Sequence, residues 1–528
     1  MGETEAAMSS LCLDAGGAPR LEDLLAALHA GVPRLHMPML VSGRLWAAAS
    51  GVGDGAPCYR LAPPADQPFD SSRVFVVGEQ PRLVYPRLDP RLLLFGGARA
   101  LDALCALQVD ELLRFVAALR ERLQSAFARV RVRDPQLAAA FAQLPALLDG
   151  DGLAAAIDRE LAMGGHAGRR FLDGWVSMQE RTHVGATEWL ASERLRADWA
   201  RAPEGGGCVR ALPTRQLHVT AGNAPLIPVL SWLRALASKS AAVIKCPAES
   251  SLLAGLLGVA MHDLDPRHPL TTHSSFVYWP GGLDDYESVL FADGNFDRLV
   301  VWGAPDTVRS VRERALGTRT VFFNPRFGLS LIDLRGVTDE DEGTLQAIAE
   351  RATIDTLIAD QHACTASLVH YVIGSAEQAL RYAERLSRVL AEWDAMFPPM
   401  DVSGSAGRIR SLRRGELIRA RWFVNGTSRA PRSVVVCSDL PFDVMNHPMS
   451  RFVVVRPIDD EQALRGVLSE AVSSVGVHPE SLRLQVRDWM GCMGVSNIRA
   501  LGAAERSYAG MPHDGMRVLS ELVNWANG

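Results

Sequence analysis

From Arg215 onward the chain switches repeatedly between short apolar runs and longer amphipathic stretches. RQLHVTA, AAVIKC, SSFVYWPGG, DRLVVWG and RTVFFN each hold several consecutive apolar residues without alternation, as strands do when helices cover both faces. APLIPVLSWLRALASKS, ESSLLAGLLGVAMHD, LDDYESVLFA and APDTVRSVRERAL lie between them and predict helices. Strands alternating with helices of about 10–15 residues imply right-handed βαβ units and a parallel sheet.

A second α/β set follows Asn324. It holds the strand FGLSLIDL, a helix from about Thr338 to Ile358, the segment around Cys364 and a helix from Ala376 to Trp393. An Arg-rich helix near 405–421, strands RSVVVCS and SRFVVVRP, and a helix over 459–474 complete it. Upstream, SRVFVVG (72–78) and RLLLFGG (91–97) read as strands, and Asp102–Leu195 as a helical block broken by the turn residues of LLDGDG (147–152). The first 60 residues predict no clear element. The expected division is an unassigned segment 1–60, domains 61–325 and 326–490, and a C-terminal extension 491–528.

Composition narrows the class. The chain has 528 residues, 48% apolar and 22% charged, with net charge -5, so nucleic acid is a poor partner. No apolar run reaches the roughly 18 residues of a membrane span. The start, MGETEAAMSS, lacks the basic-then-apolar order of a signal peptide. Eight cysteines are scattered without a C-x-x-C pair or zinc-like spacing, which predicts reduced thiols, a cytoplasmic location and no metal site.

Four places carry candidate chemistry. TAGNAP (220–225), with Gly222 and Asn223, joins a strand to a helix. Asn223 either makes the turn or offers its amide N–H to a developing oxyanion. Lys245 closes a strand, where it is either solvated or in reach of a ribose or 2′-phosphate. VVWGAPDTV (300–308) places Trp302, Gly303 and Ala304 at a turn that either merely reverses the chain or lets backbone N–H groups approach a pyrophosphate. Cys364, in DQHACTASLVHYVIG, is either a small core residue or a nucleophile. His362 and His370 flank it; local spacing favours neither as its partner, and they read either as structural or supporting residues or as one half of a cysteine–histidine pair.

The order Asn loop, Lys strand end, Gly turn and Cys resembles the aldehyde dehydrogenase superfamily. AGNAP, YWPGG (278–282), QHAC (361–364) and GMPHDG (510–515) are more narrowly similar to the acyl-CoA reductase (LuxC-type) family of bioluminescence fatty-acid reductases, from about Arg215 to Trp525. The resemblance implies an α/β, aldehyde-dehydrogenase-like fold with a Rossmann-type cofactor domain and a catalytic cysteine domain. Aldehyde dehydrogenases carry a Glu-Leu-Gly-Gly segment whose Glu activates water. The matching stretch here, RFGLSLID (326–333), has no carboxylate until Asp333. An acyl-cysteine would then survive hydrolysis.

The implied reaction is NADPH-dependent reduction of an acyl thioester, on coenzyme A or a carrier protein, to the aldehyde. Cys364 is then the nucleophile and Asn223 an oxyanion donor. Lys245, Gly222, Trp302, Gly303 and Ala304 line the cofactor site, with NADH as the alternative cofactor. The rivals are aldehyde oxidation and a non-catalytic acyl-carrier scaffold. Superfamily resemblance implies a dimer or tetramer. RIRSLRRGELIRARW (408–422) carries six Arg against one Glu, with Arg410, Arg414 and Arg421 roughly on one helical face. That face is either solvated or a docking surface for the thioester's carrier.

Overall fold

The computed structural model describes residues 10–13, 18–29, 34–48, 58–60, 82–97, 99–128, 135–178, 207–222, 224–303, 305–338, 340–397, 399, 403–427 and 429–528. Five parallel strands form the core of the first sheet: β1 (Arg215–Val219), β2 (Ala241–Lys245), β3 (Ser274–Val277), β4 (Arg298–Trp302) and β5 (Arg319–Phe323). Their spatial order is β3-β2-β1-β4-β5. Val243 stands opposite both Leu217 and Ser275, and Val300 opposite both His218 and Val321. The chain winds outward from β1 to β3, then returns beside β1 and winds the other way. Such a reversal opens a crevice at the carboxyl ends of the strands.

The sheet is parallel where the apolar runs predict it. Met39–Val41, Arg44–Ala48 and Ser10–Leu13, in a region that predicts no clear element, extend it antiparallel beyond β3. Helices α1 (Ile227–Ala237), α2 (Ser251–Leu264) and α3 (Pro305–Arg314) are its crossovers. Leu252, Leu253, Leu256, Leu257, Val259 and Met261 of α2 are all fully buried. A helix apolar on every side needs cover on every side. The sheet lies under α2, and Leu21–His29 and Val109–Phe127 lie over it.

The second sheet contains β6 (Phe327–Asp333), β7 (Ser367–Ile373), β8 (Arg421–Gly426), β9 (Pro431–Cys437), β10 (Phe452–Ile458), β11 (Val472–His478) and β12 (Asn497–Ala500). Its order is β8-β9-β10-β7-β6-β11-β12, parallel except for the antiparallel edge strand β8. Helices α4 (Glu342–Leu357) and α5 (Ala376–Met396) cover one face, with Ile348, Ala352, Tyr382 and Leu386 against Val372 and Val453. α6 (Ser403–Arg414) and α7 (Glu480–Cys492) cover the other, through Ile409, Leu412 and Val486. At the end of the chain, Val518 and Leu522 pack back onto Val300, Val321 and Phe323 of the first sheet.

Three local expectations are corrected. RLLLFGG is not a strand: Pro90–Leu93 is a 3-10 turn, because Asp89 Oδ1 accepts the Arg91 N–H at 2.9 Å and Pro90 opens the turn. The helix expected over 459–474 is only a 3-10 segment, Glu461–Gly466, and Val472 onward becomes the buried strand β11, as its valine-rich run favours. The Arg-rich helix stops at Arg414, where the Gly415 N–H bonds back to Ser411 O at 3.0 Å, so Arg421 opens β8 and shares no helical face with Arg410 and Arg414. SRVFVVG lies outside the described residues, as do 129–134 and 179–195 of the helical block.

Candidate active site

The carboxyl ends of β2, β1 and β4 are level, with Val219 opposite both Lys245 and Val301. Gly222, Lys245, Trp302 and Gly303 therefore leave the sheet at one edge, beside the strand-order reversal. Thr220 ties that edge together, donating to Lys245 O from its N–H at 3.2 Å and its hydroxyl at 2.8 Å. The Lys245 ammonium lies 5.7 Å from the centroid of the Trp279 ring. Trp279 is fully buried, and its indole N–H donates to Glu287 Oε1 at 3.3 Å. Glu287 also accepts from Gly282 N at 3.3 Å and Arg314 Nη1 at 2.6 Å. The YWPGG stretch thus builds a rigid floor beneath the lysine. A Cβ on Gly303 would stand 3.0 Å from Thr307 Cβ, so the turn into α3 is tight. Asn223 and Ala304 lie outside the described residues. A crevice at the carboxyl ends of parallel strands, bordered by a lysine and a close glycine turn, fits an anionic dinucleotide.

Trp302 faces inward as well. Its ring stacks on Phe323 at 3.9 Å, and its N–H donates to Ser231 Oγ at 3.0 Å. Ser231 Oγ lies 2.6 Å from His218 Nδ1, and His218 Nε2 lies 2.8 Å from Gln216 Oε1. An amide oxygen only accepts, which assigns the His218 proton to Nε2 and leaves Nδ1 to accept from Ser231. Burial pushes His218 down to about 3, so the ring is neutral and fixes the strand end.

Cys364 follows a strained turn between α4 and β7. Ala359, Asp360 and Gln361 have φ of 46°, 48° and 71°, and they face Met449, Ser450 and Arg451 at 59°, 56° and 61°. Left-handed backbone costs non-glycine residues roughly 1–2 kcal/mol each and persists only when the surroundings impose it. Here Arg451 donates to Asp360 Oδ1 at 2.8 Å and to Asp394 Oδ1 at 2.6 Å. Gln361 accepts from Phe452 N at 2.9 Å and donates to Phe452 O at 2.8 Å, in the manner of an added strand residue. On the other side the Ser473 hydroxyl donates to Cys364 O. Gly328 N donates to Ala366 O at 2.9 Å, and a Cβ on Gly328 would fall 2.4 Å from Thr365 O. Only glycine allows β6 to run this close to the cysteine loop.

Burial, then the negative charges of Asp514 and Glu505, push the Cys364 thiol up to about 11, while its own backbone N–H and the Ser473 hydroxyl work the other way. His370 is fully buried between Thr356 Oγ1 (3.1 Å) and Tyr382 OH (2.8 Å) and is held down to about 3, a structural ring. His362 is exposed. RFGLSLID begins at Arg326, whose Nε lies 3.4 Å from Asp514 Oδ2.

Sequence reasoning missed Arg451, Asp394, Ser473, Arg326 and the roles of Asp360, Gln361 and Asp514. The last three lie in or beside the motif words DQHAC and GMPHDG, but spacing alone assigns them no task. Arg410 and Arg414 are exposed on the outer side of α6, while Ile409 and Leu412 face the sheet. Arg421 is exposed on the edge strand. Among the described residues no group of three His, Cys, Asp or Glu could hold a metal ion, and no helix is long and apolar enough to cross a membrane.

The family model of acyl-CoA reductase (LuxC) matches residues 209–525. A long-chain acyl-protein thioester reductase of Photorhabdus luminescens is 27% identical over 341 residues, covering 64% of this chain and 68% of that protein. The enzyme of the same name from Vibrio harveyi is 26% identical over 345 residues, covering 64% and 69%. Aldehyde dehydrogenase 21 of Physcomitrella patens superposes with a TM-score of 0.64 at 12% identity, covering 94% of this chain and 98% of that one. The NADP-dependent glyceraldehyde-3-phosphate dehydrogenase of Bacillus halodurans C-125 superposes with a TM-score of 0.65 at 12% identity, covering 94% and 99%. The fold is that of the aldehyde dehydrogenases.

Proposed function

The chain belongs to the acyl-CoA reductase (LuxC) family, and on that premise we propose that Cys364 takes an acyl group from a thioester and releases it as an aldehyde. The protein is an aldehyde-forming oxidoreductase acting on acyl thioesters. The observation that carries the residue assignment is the strained, doubly anchored loop that presents Cys364. Strain held in place by so many contacts marks a position whose geometry matters.

The Cys364 sulfur bonds to the thioester carbonyl carbon, the carrier's C–S bond breaks, and the carrier leaves as a thiol after taking up a proton. Asn223 and the Cys364 N–H stabilise the oxyanion at that carbon. A bound nicotinamide supplies the hydride that reduces the acyl-cysteine. The hemithioacetal then breaks at its C–S bond, freeing the aldehyde and restoring Cys364. Along β6 no carboxylate follows Arg326 until Asp333, which supports an acyl-cysteine protected from water.

Lys245, Gly222, Trp302, Gly303 and Ala304 would hold the dinucleotide, with NADPH preferred. The relatives' names favour a long acyl chain on a protein carrier over coenzyme A. Arg410 and Arg414 form the basic surface for that carrier, whereas Arg421 shares the α5 face of β8 with Phe423 and takes no part in it. Residues 61–325 act as the cofactor domain and 326–490 as the catalytic domain; of the extension 491–528, β12 completes the second sheet and Val518 and Leu522 return to the first. The protein works in the cytoplasm as a dimer or tetramer.

Cys364→Ala tests this reading. Reduction of acyl thioesters should be abolished while the nicotinamide cofactor still binds. Intact-mass detection of a thioester-linked acyl group on the Ala variant would refute the assignment.

A further inference from the structure

A short link and a tight turn at the junction of the two sheets have no part in the scheme above. The chain leaves the first sheet at Phe323, the last residue of β5, and enters the second at Phe327, the first of β6. Asn324, Pro325 and Arg326 are the whole link. After β12 the chain returns to the first sheet through the segment that ends in Val518 and Leu522. In that segment His513 and Met516 exchange backbone hydrogen bonds of 3.0 and 2.9 Å around Asp514 and Gly515, whose φ are 52° and 79°. Two left-handed central residues are what a two-residue I′ turn requires, and Asp-Gly suits them.

Adjacent side chains of this turn take hold of the two ends of the link. The His513 ring stands edge-on to Phe323, with centroids 5.1 Å apart, and to Trp302 at 5.6 Å. Its Nδ1 accepts from Arg234 Nη2 at 2.9 Å, and the Arg234 guanidinium lies 4.8 Å from the centroid of each of those rings. Burial, then the charges of Arg234 and Arg326, hold His513 down to about 3, so its ring is neutral and Nδ1 can accept. Asp514 Oδ2 pairs with Arg326 Nε at 3.4 Å, and these side chains are 7% and 11% exposed. Charges this far from solvent are screened little by salt. Arg326 stands two residues before Gly328, whose N–H bonds at 2.9 Å to the carbonyl of Ala366, two residues after Cys364. Contacts therefore run without a break from Trp302, at the carboxyl end of β4, to the loop that carries Cys364.

We propose that the His513–Asp514 turn is a clasp across the link, which sets the separation between the cofactor edge of the first sheet and Cys364 on the second. His513, Asp514 and Arg326 are then positioning residues. This rests on Cys364 being the acylated nucleophile and on the cofactor lying at the edge formed by β2, β1 and β4. Cofactor binding draws on the first sheet alone, and the cysteine loop is built by the second. The oxyanion donor Asn223 and the hydride come from the first sheet, whereas the carbon they act on is held by the second. Such chemistry depends on sub-ångström placement of one sheet against the other.

The experiment separates what each sheet does alone from what they do together, in the full chain. Asp514→Asn removes the charge, and Asn suits the left-handed φ. Its affinity for NADPH should be unchanged, and iodoacetamide alkylation of Cys364 should not slow. Single-turnover reduction of a long-chain acyl-CoA should slow roughly 10- to 100-fold. Hydrogen exchange of the amides at 324–328 should quicken. Arg326→Met should match it, while Arg326→Lys, which keeps a cation on the link, should retain most of the wild-type rate. If Asp514→Asn does not fold, the two Arg326 variants carry the same contrast. An unchanged reduction rate overturns the proposal, as does a parallel fall in NADPH affinity and alkylation, which is ordinary loss of structure. Intact-mass acylation of the wild type is read separately. Its absence at Cys364 would remove the catalytic reading, while faster exchange at 324–328 in the variants would still uphold the clasp and unchanged exchange would overturn it.

Discussion

Arg451 and Asp360 are 91 residues apart in sequence, and an Nε-to-Oδ1 hydrogen bond of 2.8 Å joins them between two facing left-handed turns. The same guanidinium reaches Asp394 Oδ1 at 2.6 Å and Phe397 O at 2.7 Å. All three charged side chains are nearly inaccessible, at 4%, 6% and 2% exposure. The cysteine loop therefore takes its course from a buried charge network.

Arg451→Met should destabilise the protein by about 3–5 kcal/mol, because two carboxylates would remain buried without a cation. Urea unfolding measures it. A loss below about 1 kcal/mol would mean that the network does not hold the loop.

Asn223→Ala should lower the rate of thioester reduction by roughly 10²–10³ if its amide stabilises the oxyanion. Single-turnover kinetics isolate the chemical step. Wild-type turnover would reduce Asn223 to a turn residue.

Lys245 ends β2 at the edge proposed for the ribose, and no acidic residue closes that strand. Catalytic efficiency should be higher with NADPH than with NADH, and Lys245→Ala should narrow the gap. Parity in the wild type, or an advantage for NADH, would exclude a role in reading the 2′-phosphate.

Replacing Arg410 and Arg414 by Glu should raise KM for a carrier-bound thioester at low salt and leave kcat nearly unchanged. Steering of this kind fades as the Debye length shrinks from ~10 Å at 0.1 M to ~3 Å at 1 M salt. An unchanged KM at low salt would return α6 to ordinary surface.

Asp355 of α4 is buried and accepts from Gly502 N at 2.8 Å and Ala504 N at 3.0 Å. Burial pushes its carboxyl up to about 6. The folded protein then holds this proton more tightly than the unfolded chain. The resulting stability is complete below about pH 4 and is lost as pH rises through 6. Relative to Asp355→Asn, the wild type should lose on the order of 3 kcal/mol between those limits. Parallel urea titrations at pH 4 and pH 7 provide the comparison, and identical pH profiles would exclude the effect.

Period and composition predict both α/β sets and the parallel strands β1 to β5, and the motif words of the chain carry the family resemblance. Those features depend on residues close in sequence: valine-rich runs, helical periodicity, and glycine or proline at turns. The order β3-β2-β1-β4-β5 follows from how the crossovers pack, and it is this order that gathers Gly222, Lys245, Trp302 and Gly303 at one crevice. The Arg-rich segment misled because charge periodicity continues through Gly415, whereas pairing with β9 draws Arg421 into a strand. The answer to what surrounds Cys364 lay furthest from the sequence. Its anchors Arg451 and Ser473, and the carboxylates Asp514 and Glu505 that act on it, come from separate segments. Long-range electrostatics and buried hydrogen bonds carry no local period, so only the folded chain could bring those residues to the cysteine.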